Sequence, residues 1–212
     1  GFDKHDSTKV ISFKAGIGEG LTLHTPVKAE GNIEDWLNAL LQAMCKTMNR
    51  VVQAAALDCE SMAIEPFTHK YCSQVALLGI QFMWTLDCED ALYRSKTEKG
   101  VMNATNRKNL QRLNDMIAIN LKTDTELMEY GKWTRKKVET MITIEVAQRD
   151  AFNDIEGGSG GAEAFEWQKR HRAYWLAEEG VPQVRCLDVA LDYYNEYMGV
   201  KERLVFTPLT DR

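Results

Sequence analysis

The sequence predicts a mainly α-helical protein, an elongated antiparallel helical bundle with a small β-hairpin near the N-terminus and short strands at the C-terminus. Three observations predict this fold class. Apolar residues recur at three-and-four spacing through most of residues 31–156, as in amphipathic helices. Short segments of extended character lie before and after this region. Hydrophobic residues make up 44% of the 212-residue chain, which is enough for a packed core.

Residues 1–30 are expected to form the β-hairpin and its lead-in. Extended segments at 10–13 and 21–23 flank a glycine triplet at 16–20, which is typical of a flexible hairpin loop. Phosphate-binding loops also contain glycine triplets, but they need a buried strand before the loop and a helix directly after it. Here a second extended segment and Pro26 follow the glycines, so a hairpin turn is favoured over a phosphate site.

Residues 31–156 are expected to form the helical bundle, and the first helix begins after Asn32. Asparagine suits the N-cap, and Glu34 and Asp35 place negative charge in the first turn, where the helix dipole favours it. This long helix should bury one face. The expected buried residues are Ile33, Trp36, Leu37, Leu40, Leu41, Met44, Met48, Val51, Val52 and Ala55.

Three more helices are expected in the bundle, and short polar connections between antiparallel helices make it rod-like. Pro66 breaks the first pattern, so the second helix should begin near Thr68 or His69 and end near Arg94. The third should begin within 104–107, and the fourth should span 133–152. Their expected inward residues are Tyr71, Val75, Leu78, Phe82 and Leu86, then Leu110, Leu113, Ile117, Leu121 and Met128, then Val138, Met141, Ile142, Glu145 and Val146.

The chain changes character after the bundle. Residues 157–163 have the composition of a flexible linker, either a natural loop or an engineered splice. Residues 164–212 are expected to form a C-terminal subdomain with a short helix at 164–176, a strand at 184–193 and an extended piece at 204–206. Four aromatic residues should attach the short helix to the bundle rather than stack on a ligand, namely Phe165, Trp167, Tyr174 and Trp175.

Charge and hydropathy exclude several classes of partner. With 26 basic and 31 acidic residues the formal charge is −5, which disfavours a general nucleic-acid binder. The basic run at 135–137 is interpreted as a solvated helix face, because Glu139 and an apolar stripe follow it. No stretch approaches the roughly 20 apolar residues of a membrane span, and the N-terminal residues do not resemble a signal peptide. We therefore expect a soluble intracellular protein with neither nucleic acid nor membrane as a partner.

No arrangement of residues predicts catalysis or metal binding. The five cysteines are widely spaced without a C-x-x-C pair, which predicts buried free thiols. The four histidines lack the spacing that places two ligands on one helix turn. Adjacent carboxylates at 34–35, 89–90 and 178–179 point in different directions on a helix, so they are interpreted as surface charges. The G-x-x-x-x-G-K-[ST] loop that holds a triphosphate is absent, so no P-loop nucleotide site is expected.

Several stretches resemble dynein heavy chains, in the same order along the chain. The Tyr-Asn-Glu-Tyr-Met-Gly run at 194–199 and the closing Thr-Pro-Leu-Thr-Asp-Arg at 207–212 resemble the junction where the linker enters the first AAA+ module. The Gly-Asn-Ile-Glu-Asp-Trp-Leu run at 31–37 is similar to a helix start in the linker. The Thr-Ile-Glu-Val-Ala-Gln-Arg-Asp run at 143–150 and Phe-Glu-Trp at 165–167 also resemble this family.

The pattern is nearer to axonemal, outer-arm-like heavy chains than to cytoplasmic dynein. The run at 74–81, followed by Trp84 and Thr85, resembles a helix of axonemal heavy chains. Ala147 stands where the family commonly has histidine, and the segment at 156–162 also departs from the family pattern. The fold assignment is unaffected, but contacts on that side of the rod do not carry over.

The resemblance implies the C-terminal part of the dynein linker, up to the start of the first AAA+ module. In this family, nucleotide turnover in the AAA+ ring swings the linker and drives the power stroke on microtubules. The fragment would then be a non-catalytic mechanical lever without a cofactor of its own, and the intact heavy chain a motor ATPase that uses ATP and Mg. The implied partners are the AAA+ ring of the same chain, microtubules and other dynein subunits, in the cytoskeleton of a ciliary or flagellar axoneme.

The same resemblance suggests where particular functions would lie. Phe206, Pro208 and Leu209 would enter the first module and are candidates to flank the adenine, with a structural junction as the alternative. Hinge behaviour is expected in the loops at 61–66 and 96–104, although ordinary helix connections explain either one alone.

Two other function classes compete with the lever. Composition and periodicity alone do not exclude a free-standing helical adaptor that recruits partners, whereas a small metal-free enzyme has no residue constellation to support it. The apolar run and turn at 204–212 lead into no further element, which favours a piece of a longer chain over a complete adaptor. A P-loop within roughly 40 residues after Arg212 would support the dynein interpretation.

Overall fold

The computed structural model confirms the mainly α-helical fold class. It describes residues 1–16, 18–128, 133–156, 161–201, 203–205 and 207. The elements in chain order are β1 (Lys9–Lys14), β2 (Gly20–Lys28), α1 (Ile33–Asp58), α2 (Ile64–Lys70), α3 (Ser73–Arg94), α4 (Val101–Asn120), α5 (Asp124–Met128), α6 (Thr134–Glu156), α7 (Phe165–Gln168), β3 (Arg172–Leu176), β4 (Val181–Cys186) and β5 (Val189–Asp192). Within these described ranges, no helix is both long and apolar enough to cross a membrane.

Helix α3 is the central element, because it contacts α1, α4, α6 and β3. The main core cluster gathers around it and includes the completely buried Met48, Phe67, Ile80 and Met116. A second cluster surrounds Trp84 of α3 and Trp167 of α7, whose ring centroids are 5.0 Å apart. The core therefore joins the bundle to the elements that follow it.

The N-terminal hairpin is confirmed, and it packs on α1. β1 and β2 pair antiparallel, with an irregularity in the register between Val10 and Ser12. Val10 and Leu23 of the hairpin bury against Met44 of α1. The first two turns of α1 extend beyond this contact, so Ile33 and Leu37 are exposed, contrary to the expected buried face.

The expected second helix is in fact two helices, α2 and α3. Pro66 does not break the pattern, because it lies in the first turn of α2, where a missing N–H leaves no intrahelical bond unmade. The break comes instead at Tyr71, whose backbone is extended at φ −102° and ψ 149°. Tyr71 and the expected inward residues Val75, Leu78 and Phe82 are buried, but Leu86 is exposed.

Helix α4 starts earlier than predicted and turns a different face inward. It begins at Val101, after Gly100 in the left-handed conformation at φ 85°. Of its expected inward residues, Leu113 is buried, whereas three are exposed, namely Leu110 at 44%, Ile117 at 38% and Leu121 at 79%. The buried face instead contains Asn109, Arg112, Met116 and Ile119. The Met128 side chain lies outside the described part of the chain.

Helix α6 matches the expected fourth helix, whereas the short helix α5 before it was not expected. Val138, Met141 and Glu145 of α6 are buried as predicted, and Ile142 and Val146 are partly buried.

The C-terminal region contains more strand than predicted. The expected helix at 164–176 is only the four-residue α7, and its second half is strand β3. The expected strand at 184–193 is β4 and β5 with a tight turn at Leu187, which has φ 53°. The three strands form an antiparallel sheet in the order β3-β4-β5. The expected extended piece at 204–206 is not a strand at Leu204 or Val205, and residue 206 is outside the described ranges.

The aromatic cluster is consequently divided between two elements. Trp167 on α7 is fully buried and attaches this helix to the bundle, as predicted. Phe165 is exposed, and Tyr174 and Trp175 lie on β3 rather than on the helix. Most of the glycine-rich segment, at 157–160, lies outside the described ranges.

Candidate functional site

A C-terminal strap, residues 193–200, follows β5 and lies against the N-terminal end of α3. Gln74 in the first turn of α3 holds this strap at three points. Its Nε2 donates to the Tyr193 hydroxyl at 2.7 Å and to the Glu196 carbonyl at 2.6 Å. Its Oε1 accepts from the Met198 N–H at 2.7 Å. One half-buried side chain therefore sets the position of the strap relative to α3.

The far end of the C-terminal strap packs against the hairpin. Gly199 has φ 73°, and a Cβ at this position would lie 2.4 Å from the Cβ of Ala15. Both the backbone conformation and the close approach therefore require glycine. Val200, the next residue, is buried. The strap contains the Tyr-Asn-Glu-Tyr-Met-Gly run at 194–199, so this motif has a structural role.

The carboxylate of Glu19 joins the hairpin, α3 and the strap. This side chain is only 2% exposed. Its Oε1 accepts from the Ser73 N–H at 2.8 Å and from the Ser73 hydroxyl at 2.9 Å. Its Oε2 accepts from the Tyr197 hydroxyl at 3.2 Å. Burial is the main cause that raises the pKa of Tyr197, and the charge of Glu19 adds to it, so this phenol remains a hydrogen-bond donor.

Lys137 of α6 completes this Glu19 cluster from the opposite side. Its Nζ is 4.0 Å from Glu19 Oε1 and donates to the carbonyls of Thr68 at 2.9 Å and Tyr71 at 2.8 Å. Burial lowers the pKa of Lys137, and the charge of Glu19 acts in the opposite direction. The predicted solvated face at 135–137 is therefore wrong for Lys137, which ties α6 to the C-terminal end of α2.

A second buried charge cluster, centred on Arg112, joins α3, α4 and α6. The guanidinium donates from Nε to Glu145 Oε1 at 2.8 Å, from Nη1 to Asp87 Oδ2 at 3.0 Å and from Nη2 to Asn109 Oδ1 at 3.0 Å. Glu145 is completely buried, and burial raises its pKa although Arg112 acts in the opposite direction. The bonds of Arg112 explain why α4 turns Asn109 and Arg112 inward in place of Leu110.

A third cluster connects α3 to the C-terminal elements through Glu89. Its Oε1 accepts from the Tyr174 hydroxyl at 2.5 Å and from Trp167 Nε1 at 3.4 Å, and Arg172 Nη1 lies 3.7 Å away. Burial and the hydrogen bond to Glu89 both raise the pKa of Tyr174. Glu89 is therefore more than the surface charge predicted at 89–90.

These three clusters make the candidate site a structural junction between elements of the fold. Each joins elements that are distant in sequence through charged hydrogen bonds, which are stronger and more directional than neutral ones. The structure leaves all five cysteines as free thiols, of which Cys88 is buried and the others are partly buried. Burial raises the pKa of Cys59 to about 12 and is the main cause that raises that of Cys72 to about 11, so neither is an activated nucleophile at neutral pH. Within the described ranges, no three His, Cys, Asp or Glu side chains are placed to hold a metal ion.

Comparison with known proteins finds relatives along nearly the whole chain, although no family model matches it. Dynein axonemal heavy chain 5 of Rattus norvegicus is 39% identical over 207 residues, which is 96% of this chain and 6% of the relative. The dynein gamma chain of the flagellar outer arm of Chlamydomonas reinhardtii is 36% identical over 211 residues, 99% of this chain and 5% of the relative. Dynein axonemal heavy chain 8 of Homo sapiens is 36% identical over 214 residues, 100% of this chain and 5% of the relative. The chain belongs to the axonemal dynein heavy chain family.

The predicted resemblance to axonemal dynein heavy chains is therefore confirmed. This dynein segment spans about a twentieth of the length of the curated relatives that it matches. It is a fragment of a motor protein, and the activity of a whole heavy chain does not follow for the segment itself.

The dynein segment's predicted and observed site residues differ. The candidates for flanking adenine, Phe206, Pro208 and Leu209, lie outside the described residues, so that assignment stays a prediction. Sequence reasoning placed Glu145 on the inner face of its helix, because it falls in register with apolar residues. It missed Glu19, Gln74 and Arg112, which carry polar side chains that pattern reading assigns to the surface.

Proposed function

We propose that this dynein segment is the C-terminal part of the linker and acts as a non-catalytic lever that couples the AAA+ ring to movement on microtubules. The observation that carries this proposal is the three-point contact between Gln74 and the C-terminal strap. The strap contains the run that resembles the entry to the first AAA+ module. Force that arrives through the strap would therefore pass directly into α3, the central element of the bundle.

The buried charge clusters support a stiff lever. The Glu19 and Arg112 clusters join α2, α3, α4, α6 and the hairpin, so relative sliding of these elements would break charged hydrogen bonds within the core. Close-packed interiors also resist deformation. A lever of this kind swings between two docked states when nucleotide changes their relative free energy by a few kcal/mol. The expected hinge loops at 61–66 and 96–104 are shorter than predicted, because residues 64–66 belong to α2 and residues 101–104 to α4. The connections at 61–63 and 96–100 remain the predicted hinges.

The proposed partners are the AAA+ ring of the same heavy chain, microtubules and other dynein subunits. The axonemal relatives indicate a cytoskeletal location, in the axoneme of a cilium or flagellum. Homology to heavy chains also speaks against a free-standing adaptor.

Replacing Gln74 with alanine in the intact heavy chain tests the lever directly. We expect microtubule gliding velocity to fall several-fold while ATP turnover stays within about twofold, because the strap loses its three contacts with α3 but the ATPase sites are untouched. Gliding assays and phosphate-release assays on the same preparation measure both quantities.

Gln81→Ala is the matched control for this experiment. Gln81 lies on the same helix and is also partly buried, but its Nε2 donates only to the Leu77 carbonyl one turn earlier, at 2.8 Å. It should leave gliding unchanged. Equal losses of gliding in both variants, or a loss of ATP turnover in proportion to gliding, would contradict the lever.

Nucleotide chemistry is proposed to reside elsewhere in the heavy chain, with ATP and Mg as its cofactors. Because the chain contains no P-loop motif, we expect the purified segment to show no saturable, Mg-dependent ATP hydrolysis. A phosphate-release assay across a range of ATP concentrations measures this. Saturable turnover that persists through a final gel-filtration step would overturn the non-catalytic assignment.

A further inference from the structure

The outer face of the hairpin carries three lysine side chains on a small polar surface. Lys9 lies directly opposite Lys28, and Lys14 lies opposite Gly20 in the register of β1 and β2. The inner face contains Val10, Leu21 and Leu23 instead. We call the outward set the basic hairpin face; it consists of Lys9, Ser12, Lys14, Thr22 and Lys28.

The register irregularity places the lysines together. Strand side chains alternate between faces, so residues five apart, such as Lys9 and Lys14, normally point to opposite sides. The irregularity between Val10 and Ser12 changes this alternation, because Val10 and Phe13 both pack inward. Lys9 and Lys14 consequently share the outer face.

This arrangement leaves positive charge uncompensated. Like charges directly opposite each other destabilise a two-stranded sheet. Asp6 is near enough for Lys28 and Lys9 to help lower its pKa, although its hydrogen bonds with Thr8 are the larger cause. Asp6 therefore offsets only part of the positive charge of the three ammonium groups, on a chain whose net charge is −5.

We propose that the basic hairpin face docks an acidic protein surface, one that presents Asp or Glu carboxylates to Lys9 and Lys28 and to Lys14. Five residues of strand separate Lys9 from Lys14 by about 16 Å, so the partner carries two acidic groups at about that distance. The exposed hydroxyl of Thr22, which lies opposite Ser12 between the two positions, supplies a further donor to the partner.

Charge complementarity selects an acidic protein over a polyanion such as nucleic acid or an anionic membrane. The chain as a whole is acidic, with 31 acidic and 26 basic residues, so an extended polyanion would be repelled beyond this small face. A protein surface engages three lysines locally without approaching the rest. This inference rests on the hairpin and is independent of the proposed lever.

Zero-length carbodiimide cross-linking of the intact heavy chain in its assembled complex tests the proposal. The carbodiimide activates a carboxylate, the lysine amine attacks it, and an amide forms as the urea leaves, without oxidation or reduction. We expect mass spectrometry to find amides from Lys9, Lys14 or Lys28 to Asp or Glu residues of a protein surface outside residues 1–30. Raising the salt concentration enough to shorten the screening length, or adding a decaglutamate peptide, should reduce their yield at least about fivefold.

A charge-reversal variant of the intact heavy chain gives the second arm. K9E/K14E/K28E should abolish the same partner peptides and the salt-dependent association, whereas K46E/K96E/K99E reverses three exposed lysines elsewhere and should not. Two outcomes would overturn the proposal. In the first, the three lysines form cross-links only to Asp6. In the second, an acetylation assay shows that phosphatidylserine vesicles or duplex DNA protect the three lysines from modification, whereas no protein does. If the variant fails to fold, the cross-links of the unaltered protein still decide it.

Discussion

Replacing Arg112 with methionine should lower the free energy of unfolding by about 3–5 kcal/mol, because it leaves the Glu145 carboxylate buried without its ion partner. Glu145 is completely buried and cannot recover this loss by turning toward water. Asp87 is affected less, since it also accepts from Lys108 at 2.7 Å. Urea denaturation of the segment, followed by circular dichroism, measures the change.

The double variant Arg112→Met/Glu145→Leu separates pairing from packing. Buried ion pairs replaced by apolar residues of similar volume often cost little, so this variant should recover most of the lost stability. Arg94→Met is the matched control, because Arg94 also pairs with two acids, Asp90 and Glu98, but is half exposed; its loss should be below about 1 kcal/mol. If the double variant is as unstable as Arg112→Met, the loss of stability comes from altered side-chain packing rather than from the loss of charge pairing.

The helices of the bundle could be predicted from sequence because their apolar periodicity is strong. The same reading failed for α4, where it chose Leu110 and Ile117 as the inner face. Periodicity treats charged residues as solvent-facing, yet the partner of Arg112 lies 33 positions away on α6. The ion pair between α4 and α6 therefore determines which face of α4 is buried, and this face differs from the apolar face that periodicity predicts. No local sequence pattern contains that information.

The C-terminal sheet shows a different limit. Residues 172–176 read Arg-Ala-Tyr-Trp-Leu, which fits a helix face or a strand equally well over so short a span. The antiparallel strand β4, Val181–Cys186, decides between helix and strand, because residues 172–176 pair with its backbone. The turn between the two strands includes Gly180 at φ 68°, and a glycine there was the available signal for a hairpin.

The structural junction was only partly predictable from the sequence. The run at 194–199 carried the family resemblance before its contacts were known, and those residues do form the strap. Its anchors, Glu19 and Gln74, lie more than a hundred residues away in sequence and belong to no motif. A buried carboxylate in a glycine-rich hairpin turn becomes recognisable only when the fold brings Ser73 and Lys137 to it.

Replacing Glu19 with alanine should lower the free energy of unfolding by about 3–5 kcal/mol and loosen the C-terminal strap around Tyr197. The variant loses both bonds to Ser73 and the side-chain bond from Tyr197, which keeps only its bond to the Glu19 carbonyl, and it leaves the buried Lys137 ammonium without a counter-charge. Urea denaturation measures the stability, and hydrogen exchange at the Met198 amide reports the strap. Glu30→Ala, an exposed glutamate just after the hairpin, should change neither quantity.

The destabilisation by Glu19→Ala should shrink as pH rises, and this sign distinguishes lost charge pairing from a simple cavity. Burial already lowers the pKa of Lys137, and removing Glu19 deletes the main influence that raises it. Between the lowered folded pKa and the unfolded value of about 10.4, the unfolded state binds more protons than the folded state, so the free energy of unfolding rises with pH. We therefore expect the gap between Glu19→Ala and the unaltered segment to be larger at neutral pH than near pH 10. A difference in the free energy of unfolding that stays constant with pH would show that the Glu19 charge does not stabilise the protonated form of Lys137.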